Sequence, residues 1–461
     1  MKTVISFTAL LVSTTVALAL PGNRDRVYTA DQNSNTVSVI DPASNTLLGQ
    51  IRLGNPRPDV LSPLYKGEVN VHGLGFSPDH KTLIAVSTVT NSATFIDTTT
   101  NKVKGIAYVG RNPHEGFFTP DGKEAWIVVR GEDYLSIVDP SAFKETGRVQ
   151  TTSGPGMVIF AKDGKLAFLA NSFNPVVEVI DVAKREIIKK IPVVSPFSPF
   201  IQISPDGREV WSTHKDVGKV TRIDTATLEV KQVIDTGFVT NHLAFALSNG
   251  RTLAYVTVGG ENAVKVFTTE PTATLVKTIP VGALPHGIWS SGDGSRIYVG
   301  LENGDAVDVV DTEKNEVIAR VPVGQAPQAL VFVPEAVAEG DGKANLAPRP
   351  RAAENVNITL KANSGSGKGF IVARNLGLVD ILEINVFELK PETDYRVYLD
   401  NQKEPVAALK TNPKGMAAVA TVGPIRELRP AADQTKPEAV AVYVVEGNAG
   451  PSRDTAVLFG P

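Results

Sequence analysis

The stretch RVYTADQNSNTVSVID, residues 26–41, decides the fold. Its second half, TVSVID, alternates apolar and polar residues and stops at a turn-forming aspartate, the pattern of a half-buried strand running into a turn. The same ending recurs down the chain as VID at Asp41, FID at Asp97, IVD at Asp139, VID at Asp181, RID at Asp224 and VVD at Asp311, with KVF at Phe267 in the remaining gap. The intervals are 56, 42, 42, 43, 43 and 44 residues. Repeats of about 40–45 residues holding several short strands are what propeller blades require.

Each unit reads as four strands. After the aspartate turn comes a second strand such as LLGQIRLG, then a stretch such as NPHEGFF, a hairpin turn and a strand such as AWIVV. The hairpins are explicit at Pro78-Asp79, Pro120-Asp121-Gly122, Asp163-Gly164, Pro205-Asp206-Gly207, Asn249-Gly250 and Asp293-Gly294. Glycine supplies positive φ there and proline presets φ at the preceding corner. Strands before the hairpin number seven, and so do strands after it, but the two sets are offset. RVYTA at Arg26 has no hairpin before it, and QALVFVP, Gln328 to Pro334, has none after it. The last should complete the first blade, closing a seven-bladed β-propeller over residues 25–334 so that no sheet edge stays open.

RVYTADQNSNTVSVID and LAYVTVGGENAVKVF resemble the YVTN family of β-propeller repeat proteins, YncE-like and exported, across roughly residues 25 to 334. The resemblance implies the propeller fold. It implies no activity, because fold alone does not supply one.

Residues 335–354 are rich in Ala, Gly, Pro and charge and read as a linker. Alternation returns over 355–461 in short segments (NITLKA, GFIVARN, ILEINVFEL, YRVYLD, VAVYVV), the density of a small C-terminal β-sandwich domain. SGSGKG, Ser364 to Gly369, lacks Walker spacing and a following helix, and reads as a hairpin tip.

At the other end, Lys2 precedes an apolar run to Leu20 and Ala17-Leu18-Ala19 has the small-x-small pattern of signal-peptidase cleavage, so residues 1–19 read as a signal peptide. A secreted or periplasmic location is expected, with a soluble, monomeric mature chain and no spanning segment. The sequon Asn357-Ile358-Thr359 leaves bacterial and fungal origin open. There is no cysteine, which excludes disulfides and thiol nucleophiles. The net charge of -3, with no basic run interleaved with aromatics, argues against nucleic acid as a partner.

The chain has six histidines. Aligned on the hairpin turns, His72, His114, His242 and His286 share one position just before the innermost strand, where the other blades carry Gly156, Pro199 and Gln328. His214, in WSTHKDVG, falls in the loop between second and third strands, which shares that face. Five of six histidines thus map to one mouth of the channel. Imidazoles from adjacent blades can meet across a metal, copper or zinc by ligand type, with His72, His114, His242 and His286 as candidate ligands. The same position can instead hold imidazoles that only bond the adjoining turns. The 56-residue interval inserts a long loop, Asn55 to Asn70, at this mouth, offering Arg57 and Tyr65, and Arg130, Glu132, Asp133, Glu302 and Asp305 border it. The expected role is a binding or scaffold protein recognising a small molecule, a metal or a protein at the mouth. The alternative is an enzyme, either a lactonase-like hydrolase or a histidine-ligated metal-dependent oxidoreductase. No G-x-S-x-G or H-E-x-x-H motif supplies a catalytic set.

Overall fold

The repeated aspartate is there because it makes a turn. In the computed structural model each one caps the backbone N–H two or three residues on: Ala43 to Asp41 at 3.0 Å, Thr100 to Asp97 at 2.7 Å, Ser141 to Asp139 at 2.8 Å, Lys184 to Asp181 at 2.9 Å, Ala226 to Asp224 at 2.9 Å and Glu313 to Asp311 at 3.0 Å. The sixth blade, which has Phe267 instead, uses the next residue, whose Thr268 hydroxyl accepts the Thr274 N–H at 2.9 Å. The hairpin aspartates work the same way on Lys81, Lys123, Lys165, Arg208 and Ser295. His80 takes the positive-φ turn position that glycine fills in other blades, with φ of 63°.

The structure describes residues 21–54, 70–248, 250–349, 355–375, 380–399, 402–423 and 441–460. The signal peptide read at 1–19 and most of the inserted loop, with Arg57 and Tyr65, lie outside them. The described residues form seven four-stranded antiparallel sheets arranged as a propeller. Blade 1 combines the innermost strand Pro327–Val333 with Arg26–Asp31, Thr36–Asp41 and Thr46–Arg52, in register Val27↔Phe332 and Tyr28↔Val331, so the chain's late strand closes the ring. Blades 2 to 7 follow in chain order. The two strands nearest the axis are almost wholly buried in most blades, as in Thr82–Ser87 and Ala125–Val129, while the outermost strands alternate. The hairpins emerge on one face. The turns joining second to third strands, and the connections between blades, emerge on the other, the mouth.

Residues 335–349, read as a linker, lie along the propeller. Glu335 meets Asp25 on the hairpin face, Asn101 donates to the carbonyls of Gly342 and Ala344, Ala347 pairs with Gln50 on the outer strand of blade 1, and Arg349 reaches the Val323 carbonyl at the mouth. The strap thus carries the chain from one face to the other.

Beyond it, eight strands form one sheet in the order Ala407–Lys410, Asp394–Leu399, Val442–Glu446, Ala456–Gly460, Val356–Ala362, Lys368–Asn375, Asp380–Phe387, Ala417–Gly423. The sheet curls until its two edge strands approach, a nearly closed, sandwich-like barrel around Leu360, Ile371, Ile384, Val397 and Val444. SGSGKG opens the turn between two of its strands and runs into the second. No helix among the described residues is long and apolar enough to cross a membrane.

Candidate functional site

The connection into each innermost strand sets where the mouth side chains point. Asn112, Leu284 and Ala326 hold positive φ of 51°, 51° and 55°, as does Asn70 at 58°, and the second residue after each is His114, His286, Gln328 or His72. In blade 6 the left-handed residue is Val239, so Asn241 occupies the histidine position and His242 stands one residue further in. The ladder agrees, since Thr240 and Leu243 pair with Val258 and Val256 as Pro285 and Ile288 pair with Leu301 and Val299. The hairpin of blade 6 extends to the Ser248↔Arg251 pair, a tighter turn than its neighbours have, and alignment on turns is therefore out by one there. His242 shares its position with Glu115 in blade 3 and Phe200 in blade 5.

The rings form a chain around the axis. Phe200 stacks on His242 at 4.1 Å between centroids, His242 meets His286 at 4.7 Å, His286 meets His72 at 6.3 Å, and His72 meets His114 at 4.3 Å. Gln328 of blade 1, also buried, comes between His286 and His72 in blade order. Burial holds all four imidazoles neutral, His72, His114 and His286 well below their ordinary value and His242 down to about 3. Two carboxyl groups join them, Glu115 and Glu302, both raised by burial. Two cations point at the same space: burial lowers Lys215, and lowers Arg130 to about 10 against the opposing pull of Glu115.

His72, His114 and Glu115 each offer a ligand atom, and the three atoms lie within 4.8 Å of one another. His114 Nδ1 donates to the Gly156 carbonyl at 2.8 Å, which leaves Nε2 with its lone pair. Glu115 accepts the Leu74 N–H on Oε2 at 3.2 Å, while its Oε1 and the Nδ1 of His72 have no partner. Gly73 permits this: a Cβ there would meet the His114 carbonyl oxygen at 2.2 Å and Glu115 Oε2 at 2.7 Å. His242 Nε2, His286 Nδ1 and Glu302 Oε2 are likewise buried without a hydrogen bond, His286 and Glu302 standing 3.6 Å apart.

His214 is placed differently. It ends the strand Glu209–His214, fully buried, and both ring nitrogens are taken, Nδ1 by Ser198 at 2.8 Å and Nε2 by Thr221 at 2.7 Å. Burial lowers it to about 4. An unfolded chain protonates this ring below about 6.5, whereas the fold refuses the proton until about 4, so its stability contribution is complete above 6.5 and declines as pH falls between those values. Urea unfolding should show a loss of roughly 3 kcal/mol from this group across that window. His214→Asn should flatten the pH slope while lowering stability at pH 7, and an unchanged slope would contradict the burial argument.

The C-terminal domain sits on this same mouth, over blades 5 to 7. Arg374, 0% exposed, donates to Asp305 at 3.3 Å, Asn303 at 3.3 Å and the Glu302 carbonyl of blade 7, and to Glu383 of its own domain at 2.6 Å. Asn355 and Asn357 both reach the Asn303 carbonyl at 2.9 Å. Val239 and Leu284 form an apolar contact with Phe387, Phe370 and Met416. The imidazole chamber is therefore partly roofed. Glu115, Phe200, Lys215 and Arg374 are site residues that the repeat pattern did not mark. Only Glu115, an acid beside an aligned histidine on an inner strand, carried a signal in sequence.

Residues 123–332 match the YNCE-like beta-propeller family model. YncE of Salmonella typhimurium is 32% identical over 108 residues, 23% of this chain and 30% of that protein, and YncE of Salmonella typhi gives the same figures. The match thus spans less than a third of those relatives. Among solved structures, a chain of Kuenenia stuttgartiensis hydrazine synthase is similar with TM-score 0.53 and 21% identity, covering 61% of this chain and 94% of that one. The periplasmic gluconolactonase PpgL of Pseudomonas aeruginosa is similar with TM-score 0.53 and 19% identity, covering 67% and 99%. At these identities the likeness is one of fold. The ring and its repeat make the chain a β-propeller protein, and over residues 123–332 that propeller is similar to the YNCE-like family.

Proposed function

We propose that the chain is an exported binding protein whose channel mouth recognises a small anionic ligand, a carboxylate or oxyanion, beneath the C-terminal domain. One observation carries this reading. Arg130 and Lys215 are partly buried, face neutral imidazoles, and make no side-chain hydrogen bond or ion pair among the described residues. Glu115 and Glu302 are near enough to be felt electrostatically, but neither closes on its cation. A desolvated cation without a partner is costly, and a bound anion accepting from Arg130, Lys215 and the imidazole N–H groups relieves that cost. Export rests on the leader-like first nineteen residues and is checked by the N-terminal mass of the recovered protein.

Calorimetry with gluconate, citrate and phosphate on protein treated with EDTA tests the site. One of these should bind with a single equivalent, and Arg130→Met or Lys215→Met should each weaken it about tenfold or more. No binding to the native protein, or binding indifferent to both substitutions, would defeat the proposal. An enzymatic reading, lactone opening or a histidine-ligated metal-dependent oxidation, is favoured by the cluster of His72, His114 and Glu115. Turnover of gluconolactone by native protein, lost in Glu115→Gln, would favour it over binding alone.

A further inference from the structure

We propose that His72, His114 and Glu115 form a three-ligand site for one divalent transition-metal ion, zinc or copper, whose open coordination position faces Arg130 and the anion chamber. It deepens the ligand-binding reading above and rests on it only for the identity of the co-ligand.

The donor set is the first ground. Two neutral imidazoles and one carboxylate suit zinc and copper(II), and three protein ligands with a vacant position is the arrangement of a site that also takes an exogenous ligand. The second ground is that the donors are held and left unspent. His72, His114 and Glu115 are 8%, 2% and 2% exposed, yet His72 Nδ1 and Glu115 Oε1 have no hydrogen-bond partner. Buried polar atoms are rarely left so. Around them the supporting contacts are already made: the Gly156 carbonyl fixes the His114 tautomer that exposes Nε2, and the Leu74 N–H orients the Glu115 carboxylate through its other oxygen. A third ground is the backbone, since Gly73 is the residue that lets the inner strands of blades 2 and 3 approach closely enough for the glutamate to stand beside both rings.

The charge balance then constrains the fourth ligand. A dication held by one carboxylate keeps one net positive charge, and Arg130 adds another at its side. A neutral co-ligand leaves both uncompensated, so the open position selects an anion, hydroxide or the carboxylate or oxyanion of the chamber. His286, 6.3 Å from His72 between ring centroids, and His242 beyond it stand outside this group of three. They line the chamber instead of completing the metal shell.

The test uses the whole mature protein, stripped with EDTA and dialysed, then titrated with Zn²⁺ alone and with Cu²⁺ alone, with bound metal counted by mass spectrometry. One equivalent of at least one metal is expected. His72→Ala, His114→Ala and the near-isosteric Glu115→Gln should each weaken it about 10- to 100-fold, while His80→Asn, in a hairpin turn, should not. Co²⁺ gives a second readout, visible absorption bands of a tetrahedral N,O centre that vanish in Glu115→Gln even if that variant is as stable as native. No metal bound by native protein, or binding untouched in all three variants, overturns the site. Anion binding by the EDTA-treated protein is measured separately, so loss of the metal with retained anion sinks this inference and leaves the ligand-binding reading standing.

Discussion

A chain ending at Val323 should fail to fold, whereas one ending at Arg349 should form a closed propeller. The shorter chain lacks Pro327–Val333, the innermost strand of blade 1. Its removal bares the ladder edge of Arg26–Asp31 and one wall of the cores on both sides, where Leu330 and Phe332 pack with Val27 and Tyr298 and where Ala329 and Val331 pack with Tyr28 and Leu74. Each large apolar side chain withdrawn from such a core costs roughly 2–5 kcal/mol, and a domain has only about 5–15 kcal/mol of net stability to lose. The expected result is aggregation or a collapsed state without near-ultraviolet dichroism. A sharp thermal transition in the chain ending at Val323 would show that the six remaining blades close without it.

Arg374→Met should loosen the roof from the ring. It removes a fully buried guanidinium that holds Asp305, Asn303 and the Glu302 carbonyl, and leaves Asp305 and Glu383 without it. Breaking a buried charge cluster from one side costs about 3–5 kcal/mol. Asp305 keeps one bond, from the Ala326 N–H at 2.9 Å, and Ala326 begins the connection to Gln328, so the amide of Ala326 should exchange faster in the variant. Thermal unfolding should split, the C-terminal domain leaving the propeller before either melts. Arg374→Lys should not restore a single transition, because the three donors of one ammonium nitrogen cannot replace a planar guanidinium that reaches four partners from Nε, Nη1 and Nη2. A variant that melts as one unit within about 1 °C of native would show that the apolar contact of Val239 and Leu284 with Phe387 suffices, since about 1 kcal/mol already moves a midpoint by a few degrees.

The ring was legible in sequence because its signals are local and repeated. An aspartate two or three residues from the N–H it caps reads the same in any order of blades, and the offset between RVYTA and QALVFVP dictates closure without knowledge of a single long-range contact. The mouth was legible by the same token for His72, His114 and His286. His242 was misaligned because one tight turn shifts a ladder by one residue, which turn composition does not reveal. His214 looked like a loop residue, but its strand runs one residue further and its ring finds two hydroxyls, Ser198 sixteen residues before it and Thr221 seven after it. The roof was not legible at all. Arg374 sits in an ordinary alternating strand, and its partners on the ring lie 69 to 72 residues away in another domain.

The strap has a practical side. Pro21 and Arg26 leave the ring on the hairpin face, and residues 335–349 carry the chain round to the mouth before the last domain begins. A surface, bead or fused carrier attached just ahead of Pro21 is therefore held on the hairpin face, with the roofed mouth turned away from it. For any assay that immobilises this protein, that is the end to fix.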